Sequence, residues 1–444
     1  MSEDTVFALS SPVGGAIAIV RITGSGAYAA LGRVFRCKNA PEHRVMNYGH
    51  VIDSESGETI DSAMACFLEA PATYTGEDMA EIYIHGSRVI AKRTLSVLSR
   101  FLRPAEGGEF TKRAFMNGKL DLSQAEAVMD VISSVTEQGA RMAEEQLAGS
   151  IGSGIKDIED RLIDILSGVE AALDYPDELE EDTVSALGSE LAPIIDKLDY
   201  LIRGGNAARI FREGAAVAIL GAPNAGKSSL FNALMGTERA IVTSIPGTTR
   251  DTLEETLDIC GAPVRITDTA GIREGADEAE RTGVERARKA GERADLILIA
   301  IDGTKPIDEE SRALIDAAKR GEYRKCLILF TKADKQGFTM DENCAALSPI
   351  AVSSVTGEGL DALKERMAAL LLTKEAESAL VTNSRHIHAL AEAKAALETA
   401  DAAMGTDLAA ADIRTALYAL GQITGREVTA DVIERIFSRF CVGK

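Results

Sequence analysis

The sequence predicts a multidomain chain that combines α+β, all-α and α/β segments. Three observations support this prediction. Short strand-like runs are mixed with a helical run over residues 4–115, sustained helical spacing begins near residue 120, and helical spacing returns after residue 372. Between the two helical stretches, buried-type strands alternate with helices, which is the pattern of a largely parallel sheet. We therefore expect an N-terminal α+β domain followed by one helical domain into which an α/β domain is inserted.

Length and composition bound the class of protein. A chain of 444 residues is too long for one ordinary core, and the changes of pattern predict boundaries at 1–118, 119–213, 214–372 and 373–444. Hydrophobic residues make up 45% of the chain and charged residues 26%, the balance of a globular protein. No apolar run could cross a bilayer and the first residues lack a signal-peptide pattern, so we expect a cytoplasmic protein. The dispersed cysteines and histidines indicate neither a zinc site nor a disulfide framework.

The formal net charge of −21 limits the kinds of partner. A protein that holds nucleic acid alone normally carries a basic surface, whereas this chain would repel phosphate over much of its surface. If RNA is a substrate, local basic segments or a second, more basic protein must supply the attraction.

The elements of the first domain are short. Strand-like runs occur at residues 16–22, 64–68 and 81–85. Residues 89–102 have helical spacing, and turn residues cluster at 54–57 and 107–108. This mixture predicts an α+β domain.

The helical domain is predicted from apolar residues that recur every three or four positions. This spacing covers residues 122–132, 155–173, 387–397, 413–420 and 433–440. The acidic run 174–182 is predicted to be a solvated turn before a helix that ends near Ile202. Glycines at 204–205 and 214 then predict a hinge into the inserted α/β domain.

A G-x-x-x-x-G-K-S loop occupies residues 221–228, between the apolar run 215–220 and the helix-like run 229–235. The backbone N–H groups of such a loop hold phosphate oxygens, and its glycines let the backbone come close. We expect Lys227 to reach the β and γ phosphates and Ser228 to bind Mg²⁺.

Four downstream segments, in order and spacing, resemble the motifs of small, Ras-like GTP-binding proteins: 243–251, 268–271, 331–334 and 353–355. The resemblance predicts these nucleotide contacts: Asn224, Ala225, Gly226, Lys227, Ser228, Ser229, Thr243, Ser244, Ile245, Pro246, Gly247, Thr248, Thr249, Asp268, Thr269, Ala270, Gly271, Thr331, Lys332, Ala333, Asp334, Ser353, Ser354 and Val355.

The carboxylate of Asp334 selects the base. It can accept from the N1–H and N2–H₂ donors of guanine, whereas adenine would leave it unpaired. GTP is therefore the predicted nucleotide. Thr331 stands where such proteins usually have Asn, and we expect the shorter hydroxyl to lose one contact to the base or the loop.

The metal and the attacking water need further residues. We expect Thr249 to give Mg²⁺ its second hydroxyl and Asp268 to hold it through water, while the Gly271 N–H meets the γ-phosphate. Ile272 stands where Ras-type proteins have a Gln and cannot orient water, so another residue must do so.

Over nearly its whole length the chain resembles the MnmE (TrmE) family of tRNA-modification GTPases. The resemblance is carried by the motifs above together with residues 75–86, 108–122 and the C-x-G-K segment 441–444. It implies a potassium ion in place of an arginine finger, bound by Asn224, Thr243, Ile245 and Thr248. It also implies that Glu280 is a general base acting through water, although from sequence alone Glu280 is an ordinary solvated acid.

The resemblance further implies an N-terminal domain that binds folate, as 5-formyl- or methylene-tetrahydrofolate, and mediates a homodimer. The matching folate contacts are Arg21, Glu81, Lys119 and Lys444. Glu81 can accept from pterin N–H groups, but taken singly Arg21 and Lys119 are more simply surface charges. The loop 11–15 and Gly107 depart from the family pattern, which could alter loop geometry.

Two further segments match the family. Cys441 is implied to be functionally required near the folate pocket, with a nucleophilic or redox role as a hypothesis. Residues 383–386 (Asn-Ser-Arg-His) also match, and their simplest interpretation is a helix start with solvated polar groups.

The function implied by the resemblance is that of a potassium-activated GTPase. With an FAD-containing partner of the MnmG type and NADH, it would add an aminomethyl-type group to C5 of the wobble uridine, position 34, of certain tRNAs. Folate would supply the carbon, glycine or ammonium the nitrogen, and the partner most of the tRNA contacts. The alternative is a regulatory or assembly GTPase whose other domains only bind partners.

Overall fold

A computed structural model describes residues 4–237, 256–268, 294–377, 379–401 and 405–444. Its N-terminal part contains a seven-stranded sheet in the order β3-β4-β5-β6-β2-β1-β7, antiparallel except for β1 and β7. The strands are β1 Val6–Leu9, β2 Ile17–Thr23, β3 Phe35–Cys37, β4 Asn47–Ile52, β5 Thr59–Leu68, β6 Met79–His85 and β7 Arg103–Pro104. The helices of this part are α1 Ala27–Val34, α2 Arg88–Leu98 and α3 Glu109–Met116.

One face of this sheet is buried against α1 and α2. On the other face, β1 and the start of β6 pack against Phe110 of α3, while the part over β4 and β5 is largely open within the described chain. A row of cross-strand partners runs across the open face: Tyr48, Met64, Tyr83 and Ile19. Tyr48 is 67% exposed and Met64 43%. The strands alternate between buried and outward residues as the two-residue period of a half-buried sheet requires.

The first helical stretch contains α4 Leu122–Ser133, α5 Glu137–Leu147, α6 Ser150–Asp174 and α7 Pro176–Glu213. Asp121 begins α4 with a capping box, since its side chain accepts from the Gln124 N–H while the Gln124 side chain accepts from the Asp121 N–H.

The α/β part contains a six-stranded sheet in the order β13-β12-β11-β8-β10-β9, parallel except for β9 against β10. Its strands are β8 Ala215–Leu220, β9 Thr256–Ile259, β10 Ala262–Asp268, β11 Leu296–Asp302, β12 Cys326–Thr331 and β13 Ile350–Val352. Its helices are α8 Lys227–Thr237, α9 Glu309–Lys319 and α10 Leu360–Leu371, with a 3₁₀ turn at Glu342–Leu347.

Helices return after this sheet: α11 Lys374–Glu377, α12 Ser384–Asp401, α13 Thr406–Thr424 and α14 Ala430–Phe437. Side chains from α6 and α7 share one hydrophobic core with side chains from α12 and α13. The α/β part is therefore inserted within a helical unit built from both flanking stretches. In the described part of the chain, no helix combines the length and apolarity that a membrane crossing needs.

Two predictions about the linker are wrong. The acidic run 174–182 is not a turn, because α6 ends at Asp174 and α7 begins at Pro176. Proline suits the first helical position, and acidic residues suit the positive end of the helix dipole. The helix also continues through 204–205 to Glu213, so these glycines are not a hinge. A Cβ on Gly205 would lie 2.9 Å from Ile387, which indicates that this glycine permits close packing of α7 on α12.

Candidate functional site

The phosphate loop follows β8, the strand between β10 and β11, and ends in the first turn of α8. Gly221, Asn224 and Gly226 have φ angles of +150°, +62° and +89°. A Cβ on Gly221 would collide with the carbonyl oxygen of Ala300. The glycine that the motif places first is thus required by both the backbone conformation and the neighbouring strand.

Lys227 lies across this loop. Its Nζ donates to the carbonyl oxygens of Gly221 (2.7 Å) and Ala222 (2.9 Å). An ammonium has three protons, so a third can point to an anion held by the loop. Ser228 and Ser229 follow in the first turn of α8, where backbone N–H groups and the helix dipole favour phosphate.

Thr331 joins the base-recognition motif to the phosphate loop. Its buried hydroxyl lies 2.7 Å from the carbonyl oxygen of Ala225 and 3.1 Å from that of Ile301. The loop contact that we expected the shorter side chain to lose is therefore present in the structure.

Asp334 is held by Ser353, whose hydroxyl donates to its Oδ1 at 2.7 Å. This hydrogen bond is the main reason why the pKa of Asp334 is lowered. Nearby, Lys332 has a φ of +63° and donates to Asp302 at 2.6 Å. Burial opposes the charge on Asp302, but hydrogen bonds from Lys332 and Thr304 lower its pKa to about 2. Motifs at 331–334 and 353 thus present an ionised carboxylate beside the phosphate loop.

Of the residues predicted to hold Mg²⁺, Ser228 and the backbone of Asp268 lie in the described ranges and Thr249 does not. Asp268 ends β10 and is paired with Ile219 of β8, one residue before the last residue of that strand. Ser228 follows on α8, where it is exposed. Among the described residues there is no cluster of three side chains that could hold a metal by themselves. This donor set fits Mg²⁺, which usually takes few protein ligands and completes its shell with phosphate oxygens and water.

Eleven predicted nucleotide, potassium or catalytic residues lie outside the described ranges: Thr243, Ser244, Ile245, Pro246, Gly247, Thr248, Thr249, Thr269, Ala270, Gly271 and Glu280. Their roles stay predictions. Ala333, Ser354 and Val355 lie in the described loops after β12 and β13.

A second polar site lies on the open face of the N-terminal sheet. Arg21 and Glu81 are cross-strand partners, and the Arg21 Nη2 and Nε lie 2.8 and 2.9 Å from Glu81 Oε1. The Tyr83 hydroxyl donates to the other carboxylate oxygen at 2.6 Å. Burial and the hydrogen bond to Glu81 raise the pKa of Tyr83 to about 12, so the phenol remains a donor.

The segment 440–444 closes against this site. Val442 forms an antiparallel bridge with Gly107, and the Gly108 N–H donates to the Cys441 carbonyl oxygen at 3.2 Å. The Phe110 N–H donates to the carbonyl oxygen of Lys444 at 3.2 Å. A Cβ at Gly107 would lie 2.6 Å from the Phe440 carbonyl oxygen, so glycine permits this approach.

Phe110 links this segment to the sheet, since the Arg21 guanidinium lies over its ring, 5.8 Å from the centroid. Arg21 and Glu81 are thus paired directly, and the backbone of Lys444 is joined to them through Phe110. Lys119, by contrast, donates to the carbonyl oxygen of Pro71 at 3.1 Å.

Cys441 is half-buried beside these residues. Burial raises the pKa of its thiol, and the charge of Lys444 only partly opposes this. In this arrangement the thiol is mainly protonated at neutral pH, which does not favour a resting thiolate nucleophile.

Comparison with known proteins assigns the whole chain. The family model for the MnmE helical domain matches residues 122–441, and the model for the GTP-binding protein TrmE N-terminus matches residues 5–119. The chain belongs to the MnmE family. It is 39% identical over 461 residues to the tRNA modification GTPase MnmE of Natranaerobius thermophilus, covering 100% of both chains. It is 41% identical over 462 residues to that of Geobacillus thermodenitrificans, covering 99% of each.

Among solved structures, the chain is similar in part to the G domain of the T. maritima FeoB iron transporter. The identity is 30%, the coverage is 36% of this chain and 99% of that one, and the TM-score is 0.27. For Aquifex aeolicus Era bound to GDP and AlF4⁻, the identity is 28%, the coverage is 41% and 66%, and the TM-score is 0.29.

One polar cluster of this MnmE-family chain was not predicted. Residues 383–386 do begin a helix, since α12 starts at Ser384, but the interpretation of their polar groups as solvated is wrong, because His386 is fully buried. Its Nε2 lies 2.8 Å from Glu126 Oε2, and Arg385 Nη2 lies 2.6 Å from the same oxygen. Burial would raise the pKa of Glu126, but His386 and Arg385 hold it well below its usual range. Burial also lowers the pKa of His386.

A sequence signal for this cluster existed. Glu126 lies four positions after Leu122 and three before Met129, on the apolar stripe of α4. A carboxylate on such a stripe requires a buried cation or donor as its partner.

Proposed function

We propose that this chain is a GTPase that acts in the modification of tRNA. The observation that carries the nucleotide assignment is the contact between the phosphate loop and the base-recognition motif at 331–334. Thr331 bonds the phosphate loop at Ala225, and three residues later Asp334 presents a carboxylate held by Ser353. A phosphate cradle beside a fixed carboxylate is suited to guanosine phosphates. Full-length similarity to tRNA modification GTPases supports the biological role.

The hydrolysis mechanism in this proposal uses the protein's own groups to bind and orient. Water attacks the γ-phosphorus and the bond to the β–γ bridging oxygen breaks, giving GDP and phosphate. Lys227 neutralises charge on the phosphates, while Ser228 and Thr249 hold Mg²⁺. Glu280 acts as base through water. Potassium at Asn224, Thr243, Ile245 and Thr248 supplies the remaining positive charge when bound.

The N-terminal site in this proposal holds tetrahydrofolate, which would supply the one-carbon unit. Its residues fit the group: the Glu81 carboxylate has lone pairs left for pterin N–H donors, and Arg21 and Lys444 suit carbonyl or glutamate oxygens. Lys119 completes the set, and Cys441 lies at the edge of the site. An FAD-containing partner of the MnmG type, with NADH, performs the redox steps at C5 of the wobble uridine.

A homodimer is part of the proposal. The open face carries the apolar row Tyr48, Met64, Tyr83 and Ile19; in the described part of the chain Tyr48 and Met64 are exposed, and Tyr83 and Ile19 are half-buried. Aromatic and methionine side chains are enriched where protein surfaces associate. A second copy on this face would also enclose the Arg21–Glu81 pair. The formal charge of −21 disfavours binding of RNA phosphates by this chain alone, which supports a partner that holds most of the tRNA. The complex is proposed to act in the cytoplasm.

The first test is steady-state GTP hydrolysis in potassium and in sodium buffers of equal ionic strength, with Glu280→Ala as the control. We expect strong potassium selectivity, and we expect the variant to lose turnover while it still binds nucleotide. Equal rates in both salts would contradict the potassium site.

The alternative, a regulatory GTPase, would gain support if the full-length protein failed to bind 5-formyltetrahydrofolate. The full chain is needed because residues 441–444 belong to the site.

A further inference from the structure

The last turn of α7 is tied to three different parts of the molecule. Arg209 Nη2 lies 2.6 Å from Asp295 Oδ1, in the turn before β11. Arg212 Nε donates to Asp130 Oδ1 of α4 at 2.8 Å. Glu213 accepts a hydrogen bond from Ser384, the first residue of α12. One helical turn thus contacts the α/β part and both flanking helical stretches.

This turn also leads directly into the nucleotide-binding part of the chain. Gly214 alone separates α7 from β8, and its N–H donates to the Ile210 carbonyl oxygen at 2.8 Å. Asp295, which receives Arg209 on one oxygen, accepts the Ala216 N–H on the other at 2.9 Å. With so short a connection and these two bonds, the end of α7 must follow any displacement of β8.

The contact between Arg212 and Asp130 is buried and specific. The Asp130 side chain is 11% exposed and that of Arg212 26%. Within the described part of the chain, Asp130 Oδ2 has no hydrogen-bond partner. Glu126, one turn earlier on α4, is already bonded to Arg385 and His386. Arg212 is therefore the cation that neutralises Asp130, and losing it would leave a buried charge uncompensated.

The other end of α4 lies against the segment that carries Cys441. Leu122 and Ala125 are fully buried in a cluster with Phe437 and Phe440. Cys441 follows directly. Leu122 and Asp130 are eight residues apart on α4, so about 12 Å of rigid helix joins the Arg212 contact to this cluster.

We propose that Arg212 and Asp130 are positioning residues that couple the nucleotide state to the Cys441 segment, with α4 as the rigid link. A shift of β8 moves the end of α7, Arg212 moves Asp130, and α4 displaces Phe437 and Phe440 at its other end. The inference rests on the proposed function, and it assigns the regulation of the second polar site to this ion pair.

The test measures the rate at which N-ethylmaleimide labels Cys441 in the full-length protein, by mass spectrometry of the peptide that contains it. Labelling of Cys37 in the same sample is the internal reference. Rates are compared without nucleotide and with a non-hydrolysable GTP analogue, Mg²⁺ and potassium. We expect the analogue to change the Cys441 rate roughly fivefold or more in the wild type. In Arg212→Ala and Asp130→Asn the change should fall below about twofold, with analogue binding retained.

Two controls keep the result interpretable. Arg414→Ala removes the exposed ion pair with Glu170, which also joins two helices, and should respond as the wild type does. Asp130→Asn leaves no buried carboxylate at this position, and the Arg212 side chain that it unpairs is 26% exposed, so this variant tests the coupling if Arg212→Ala fails to fold. A folded Asp130→Asn protein with a wild-type response would overturn the inference. A wild type that binds the analogue without a change at Cys441 would overturn it too, whereas failure to bind the analogue would contradict the proposed function itself.

Discussion

The hydroxyl of Thr331 lies 2.7 Å from the main-chain carbonyl oxygen of Ala225, so the residue that opens the base-recognition motif is bonded to the phosphate loop. Replacing it by valine keeps the volume but leaves that carbonyl without its donor. We expect Thr331→Val to lower the free energy of unfolding by about 1–3 kcal/mol and to weaken GDP binding several-fold. Thermal unfolding and titration with a fluorescent GDP derivative measure the two effects. Unchanged GDP affinity would show that the loop does not depend on this bond.

As the pH is lowered, Ser353→Ala should lose GTP binding at a higher pH than the wild type does. The Ser353 hydrogen bond lowers the pKa of Asp334, and guanine recognition needs the ionised carboxylate. Without that bond the pKa of Asp334 in the folded protein rises. As the pH is lowered, the variant's carboxylate is therefore protonated at a higher pH than that of the wild type, and GTP binding is lost at that higher pH. Affinity measured between about pH 3 and 6 tests this, since unperturbed Asp titrates near 3.9. Ser189→Ala, which changes an exposed hydroxyl on α7, should follow the wild-type profile.

Tyr83→Phe should weaken folate binding without unfolding the N-terminal sheet. The phenol fixes one oxygen of Glu81, the proposed pterin acceptor, through a 2.6 Å hydrogen bond. A bond to a charged group is worth about 1.5–3 kcal/mol, so we expect the dissociation constant of 5-formyltetrahydrofolate to rise roughly tenfold or more. Calorimetric titration measures it, and Tyr48→Phe on the same sheet face is the matched control. Equal affinity in both variants would count against a role for Tyr83.

The alkylation rate of Cys441 should rise at a higher pH than that of a free cysteine. Only the thiolate reacts, and burial raises the pKa of this thiol. The inflection of the pH–rate profile should therefore lie above about 8.5, the value for free cysteine. Lys444→Ala removes a charge that lowers the pKa, so its inflection should move still higher. An inflection near neutral pH would instead support a resting thiolate.

The local parts of the site could be predicted from sequence. The phosphate loop and the motifs at 331–334 and 353–355 are contiguous, and each follows a strand that its apolar residues already indicate. Strands β3 and β4 were missed because they are short and contain polar residues, so neither shows a clear strand-like apolar run.

Contacts between distant segments could not be predicted from pattern. The burial of His386 depends on Glu126, which is hundreds of residues away in the chain. Gly205 suggested a hinge in the sequence, but in the structure it permits close packing against Ile387. This contact is apparent only once the helices are assembled. The position of Cys441 near Arg21 was implied by family resemblance alone.

The bonds from Gly108 and Phe110 to residues 441 and 444 also set an order of events during synthesis. Ribosomes make the N-terminal sheet early, and domains generally fold as they emerge. Yet the loop at 107–110 cannot gain its partners until a segment hundreds of residues later leaves the ribosome. The Arg21–Glu81 pair can form at once, whereas the enclosure around it is completed only after the α/β part and the returning helices have been made. Incomplete chains would therefore carry a finished GTPase part and an unfinished N-terminal site.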